Sequence, residues 1–186
     1  MKQVLLMLAL VVVVAGLVLG AYLPWAKATS YITALRNLPN VHSMDGFTAN
    51  FDETLNMYSP VGDEEVVKFL SNDILQLVNQ KDQPENVSRA LVSFIEPRLL
   101  TDNVRHLLTG AQMHDILWMK FHKEDDYKIT EQYYLKALSI GPRLPPVLYG
   151  LLDLYRQKGE KTKMQEIAKI IVGFWPSDDK TAALLK

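Results

Sequence analysis

The feature that most constrains this chain is a run of twenty consecutive uncharged residues, almost all apolar, from Val4 to Leu23. At about 1.5 Å per residue, a helix of that length spans roughly 30 Å, the thickness of a bilayer's hydrocarbon core. A chain of 186 residues has little room to bury such a helix on every side. Tyr22 and Trp25 stand at its far end, where amphipathic rings favour the headgroup level, and Pro24 predicts a kink or a stop there. Ala26-Lys27-Ala28 has the small-x-small pattern of a signal-peptide cleavage site. The apolar run exceeds the roughly 7–15 residues of such peptides. An uncleaved anchor fits the length, and a cleaved signal fits the tripeptide. Lys2 precedes the run and Lys27 and Arg36 follow it, so the positive-inside rule gives no direction. Either a signal or a signal-anchor places the rest of the chain outside the cytoplasm, periplasmic or extracellular, and the retained anchor makes it a single-pass membrane protein.

The remainder divides into residues 26–110, a helical linker and support region, and residues 111–186. Lys27 to Leu38 continues the first helix to Pro39, and 40–46 is a polar break. Phe47, Phe51, Leu55 and Tyr58 recur at helical spacing, and Ser59 to Gly62 punctuates. Asp63-Glu64-Glu65 places negative charge at a helix start, where the dipole favours it. Val66, Val67, Leu70, Ile74, Leu77 and Val78 form the stripe of that helix. Pro84 falls in the first turn of the next, with Asp82 or Gln83 near the cap. Val87, Leu91, Phe94 and Ile95 carry it to Pro97. Leu99, Leu100, Val104, Leu107 and Leu108 predict one more helix, stopping near Gly110. No alternating run predicts a strand, so the fold class is all-α.

Composition removes several functions. The formal net charge is −1, without the basic stripe of a nucleic-acid binder. There is no cysteine, which excludes thiol catalysis, disulfides and zinc or iron–sulfur sites built on thiolates. Serine nucleophile elbows and phosphate-cradling loops are absent. His114 and His122 are eight residues apart, with Trp118 between them on one helix face, whereas paired metal ligands on a helix favour a spacing of four. Glu124-Asp125-Asp126, between Lys123 and Lys128, reads as a solvated loop. No catalytic residue, metal or cofactor is expected.

An internal period stands out in the last third. Pro142 and Pro176 are 34 residues apart, as are Leu117 and Leu151, Phe121 and Tyr155, Tyr134 and Ala168, and Ala137 and Ile171. This pattern resembles the tetratricopeptide repeat, a helix–turn–helix unit of that period. The resemblance implies units over 111–144 and 145–178, followed by a capping helix from Ser177-Asp178-Asp179-Lys180 to Lys186. Trp118 and Leu152 stand where the family has a small residue, and Thr130 and Met164 where it has alanine. Two such units bury too little alone, so the helices before them supply the support. The implied architecture is an N-terminal transmembrane helix followed by a helical-hairpin array, an α-solenoid.

The family binds peptides on the face formed by its first helices. Carried over by phase, that face holds Gln112, Asp115, Met119, His122 and Lys123, then Tyr149, Asp153 and Arg156. The expected partner is a protein or peptide, and the expected role is a membrane-anchored scaffold of the cell envelope without catalysis. The layout is also similar to the extracytoplasmic helical tail of O-antigen ligase-like and polysaccharide-polymerase-like membrane proteins. The stretches from Phe47 to Leu55 and from Ser59 to Val67 resemble the linker in such tails. The many membrane helices and chemical loops of that family are missing, so what carries over is an accessory role near polysaccharide-assembly machinery.

The mass of the mature N-terminus from the membrane fraction separates anchor from signal. Retention gives an intact N-terminus, and cleavage after Ala28 gives a chain starting at Thr29.

Overall fold

A segment that is apolar on every face must satisfy its backbone hydrogen bonds internally, and a helix does so. In the computed structural model, which describes residues 2–185, α1 covers Lys2–Leu17 and α2 covers Leu23–Asn37, joined by a π-helical turn at Val18–Tyr22. Met1 and Lys186, at the outer ends of the expected first and last segments, lie outside those residues. Pro24 does not end the helix. It has no N–H to give to Gly20 and crowds that carbonyl. The wider turn just before it, in which the Leu23 N–H donates to the Val18 carbonyl, accommodates the mismatch. With a 3₁₀ turn at Leu38–Asn40 the helix runs 39 residues, Lys2–Asn40, or about 58 Å. It is long and apolar enough to cross a membrane. Its large apolar side chains from Val4 to Leu19 are 41% to 75% exposed, so nothing among the described residues covers them.

The described residues contain helices and turns and no strand. The chain divides into two compact units after Ser71. In the first, α2 and α3 (Met44–Asn56) form an antiparallel hairpin. The Ser43 side chain accepts from the Gly46 N–H and caps α3, so this helix starts inside the expected break. Tyr31 packs on Phe51 and Phe51 on Phe47. Phe47 and Phe51 are buried, while Tyr58 lies beyond the helix and is exposed. Lys27 is 2% exposed. Its ammonium donates to the Met57 carbonyl at 2.7 Å and pairs with Asp63. One cation thereby closes the C-terminal end of α3 and meets the acidic start of α4 (Asp63–Asn79).

In the second unit, α5 (Glu85–Ile95) buries Ser88, Leu91, Val92 and Ile95. Pro84 is its N-cap. A 3₁₀ turn at Glu96–Arg98 carries Pro97. Then α6 (Val104–Phe121) packs along α7 (Glu124–Ile140), and α8 (Pro145–Lys158) along α9 (Lys161–Phe174), with α10 (Asp179–Ala183) last. Gly110 does not stop α6, and the expected border at 110/111 falls inside that helix. The glycine serves close approach instead, because a Cβ there would lie 2.7 Å from Tyr133 Cζ. The acidic triplet at 124–126 is not a loop. It forms the first turn of α7, where three carboxylates meet the helix dipole.

The turns carry the internal period. Gly141 and Trp175, 34 residues apart, have nearly the same backbone (φ −128°, ψ 73° and φ −129°, ψ 78°) and donate to the Ala137 and Ile171 carbonyls. Pro142 and Pro176 follow them. The tight turns inside the hairpins depart from the period. His122 (φ 56°) ends α6 and Gly159 (φ 81°) ends α8, both left-handed. These stops are 37 residues apart, so the first hairpin's second helix is longer by three residues, 17 against 14. Ala111, Leu151, Tyr155, Ala168 and Ile171 are among the buried residues between the helices.

A glycine substitution tests the packing. Gly150→Ala puts a Cβ 2.4 Å from Tyr134 Cε1, and the strain should lower stability by about 1–3 kcal/mol in thermal or urea unfolding. Gly173→Ala, with nothing within 4 Å, should leave stability unchanged or raise it slightly.

Candidate functional site

Residues three, four and seven apart on a helix share a face. Gln112, Asp115 and Met119 do so on α6. Gln112 and Asp115 line a cleft of about 280 Å³ with Leu75, Gln76, Asn79 and Ile116, and Met119 is exposed. Asp153 on α8 pairs with Arg156 at 2.7 Å. Burial pushes the Asp115 carboxyl above the ordinary carboxylate range, and the Asp153 carboxylate pushes it further. Its Oδ1 is buried without a partner among the described residues. Tyr134, against Gly150, is pushed up to about 12, by burial first and by Asp115 and Asp153 next.

The other expected groove residues are placed elsewhere. The Tyr149 hydroxyl donates to Asp178 Oδ2 at 2.7 Å and its ring stacks on Trp175 at 6.2 Å, so Tyr149 closes the last turn. Lys123 pairs with Glu85. His122 is the left-handed cap of α6 and shares no helix face with His114. The eight residues thus fall into a central set (Gln112, Asp115, Met119, Asp153, Arg156) and two flanks.

Sequence reasoning missed a buried polar network beside this face. Asp126 is 2% exposed and takes two hydrogen bonds from the Arg89 guanidinium, at 3.0 and 2.7 Å. Arg89 also donates to Glu85 at 2.8 Å. With both carboxylates beside it, its pKa rises further. His114, buried on α6, points Nδ1 toward Asp126 Oδ1 at 3.6 Å and donates through Nε2 to Glu96 Oε1 at 2.9 Å. The Tyr133 hydroxyl donates to the same oxygen at 2.7 Å, and its ring stacks on the imidazole at 5.9 Å. The His114 hydrogen bond, ahead of the Tyr133 one, holds Glu96 below its ordinary value. The one trace of this in the sequence is a histidine inside the buried stripe Gly110, Ala111, Met113, Leu117, since a buried ring nitrogen needs a partner. No group of three or more His, Asp or Glu among the described residues is placed to hold a metal ion.

Glu96 and Asp115 should move stability in opposite directions with pH. Glu96 has a folded pKa below its unfolded value, so its contribution is present above the ordinary carboxylate range and is lost as pH falls through the lowered folded value. Asp115 has a folded pKa above its unfolded value, so its contribution is present below that value and is lost as pH rises through the folded one. Urea unfolding across the acid range should show Glu96→Gln less stable at neutral pH with a flatter acid limb, and Asp115→Asn more stable at neutral pH. The same acid limb in both variants and the parent contradicts this assignment.

No protein-family model, curated protein or solved structure matches the chain, so the role of these surfaces rests on their own chemistry.

Proposed function

We propose that this chain is a membrane-tethered scaffold of the cell envelope that binds a protein partner on its central α6–α8 face and carries no chemistry of its own. The observation that carries this reading is the 34-residue recurrence of the inter-hairpin turn, at Gly141-Pro142 and Trp175-Pro176, in a chain that also carries the 39-residue helix Lys2–Asn40. The recurrence supports a tetratricopeptide-like pair of hairpins, whose first helices offer a continuous face. Two features of that face favour a ligand. Its buried Asp115 oxygen lacks a partner among the described residues, and ionising Asp115 opposes folding. Groups that cost stability in the free protein are found where binding needs them.

Retention of the first helix is supported at Ala26-Lys27-Ala28. All three residues lie within α2, and Lys27 is buried against Met57 and Asp63. Cleavage after Ala28 would remove Lys27, and with it the contacts to Met57 and Asp63. The 58 Å estimate exceeds a hydrocarbon core by nearly twofold, which leaves α2 beyond the bilayer to join the folded part.

Site-specific photo-crosslinking in native membranes tests the binding face. A photoreactive residue at Met119 or Gln112 should give a discrete protein adduct that weakens when Arg156 is replaced by Glu. The same probe at Lys169, exposed on α9, should give none. Adducts of equal yield from both positions, or none from either, contradict the proposal.

A further inference from the structure

A second surface of the 72–186 unit, separate from the central face, carries a stronger chemical signature. Glu96 and Lys136 line one cleft of about 350 Å³ with Thr101, Leu107, Gln132 and Tyr133. The two charges are of opposite sign, yet they form no ion pair with each other, and Lys136 has no ionic or hydrogen-bond partner through its side chain among the described residues. Glu96 is unusual in how firmly it is held. Its Oε1 accepts from both His114 and Tyr133, and the His114 ring is itself buried and stacked on Tyr133. That leaves Oε2 without a protein donor among the described residues, on a side chain 34% exposed. A carboxylate fixed through one oxygen by a buried network, with the other oxygen open to a cleft, is preorganised to accept from a ligand.

The charges limit what fits. A simple cation attracted by Glu96 is repelled by Lys136, and a simple anion meets the reverse. A ligand with an ammonium and a carboxylate satisfies both. Leu107 and the Tyr133 ring supply an apolar wall, and Gln132 and Thr101 supply polar edges. We infer that this cleft binds a small zwitterion, an amino acid or short peptide with free ends and an apolar side chain. Its ammonium donates to Glu96 Oε2, its carboxylate accepts from the Lys136 ammonium, and its side chain lies against Leu107 and Tyr133. This inference is independent of the protein-binding face, because none of these residues belongs to it.

The test uses the full chain in detergent micelles, with calorimetry and saturation-transfer NMR. The probes are leucine and leucyl-leucine, with N-acetylleucine and leucinamide as ligands lacking one charge each. At least one of the two zwitterions should bind, and removing either charge from the leucine skeleton should weaken binding about tenfold or more. Of leucine and leucyl-leucine, the tighter one identifies the source, amino acid or peptide. Lys136→Met, on an exposed side chain outside the network, should weaken binding of the zwitterion by a similar factor while leaving the unfolding curve unchanged. Glu96→Gln should do the same to binding, although it also alters the network. The inference is overturned if neither zwitterion binds at millimolar concentration, if a singly charged ligand binds as tightly as its zwitterion, or if Lys136→Met leaves affinity unchanged.

Discussion

The 72–186 unit depends on a carboxylate that has been taken out of water. Asp126 is 2% exposed, and an unpaired charge so placed carries a desolvation penalty of several kcal/mol. Two features offset it. Asp126 lies in the first turn of α7, where the helix dipole favours negative charge. Arg89 meets both its oxygens in a fork. Because Arg89 is on α5 and Asp126 on α7, the pair ties these two helices together, and His114 of α6 lies beside it, 3.6 Å from Asp126 Oδ1. Around the pair, His114 orients Glu96, Glu96 anchors Tyr133, and Tyr133 fills the space that Gly110 leaves open.

Charge is handled in the same way near the membrane-length helix. Lys27 is buried at a position where a lysine normally keeps its ammonium in water. It is satisfied by the Met57 carbonyl at the end of α3 and by Asp63 at the start of α4. Both buried charges therefore sit at helix ends, where unsatisfied backbone groups already await a partner. Cleavage after Ala28 would remove this interaction.

Much of this was legible in the sequence, for identifiable reasons. Bilayer thickness sets the length of a spanning helix, so the run from Val4 to Leu23 announces itself. Asp63-Glu64-Glu65 marks the start of α4 because helix dipoles select charge locally. The recurrence of Pro142 and Pro176 marks two turns with nearly equal dihedral angles. What was not legible depends on partners distant in sequence. Glu124-Asp125-Asp126 has the same helix-start chemistry as Asp63-Glu64-Glu65, but flanking lysines made it resemble a solvated loop. The Arg89 that buries Asp126 is 37 residues away. The π turn before Pro24 is a change of hydrogen-bond register, which no side-chain pattern reports. The three-residue offset between hairpins follows from where left-handed caps fall, and His122 is not a residue type that announces such a cap.

The most direct test of the role given to the Arg89–Asp126 pair is a double-mutant cycle on the full chain, with Arg89→Met, Asp126→Leu and their combination, read by urea unfolding of the helical signal. Arg89→Met strands the buried Asp126 carboxylate and should cost about 3–5 kcal/mol, whereas Asp126→Leu leaves a partly exposed Arg89 still paired with Glu85 and should cost less. The double change removes both, so its cost should fall well short of the sum, by about 1.5 kcal/mol or more. If the two single costs instead add to within about 0.5 kcal/mol, the pair does not act as a unit and the helices are held by apolar packing alone.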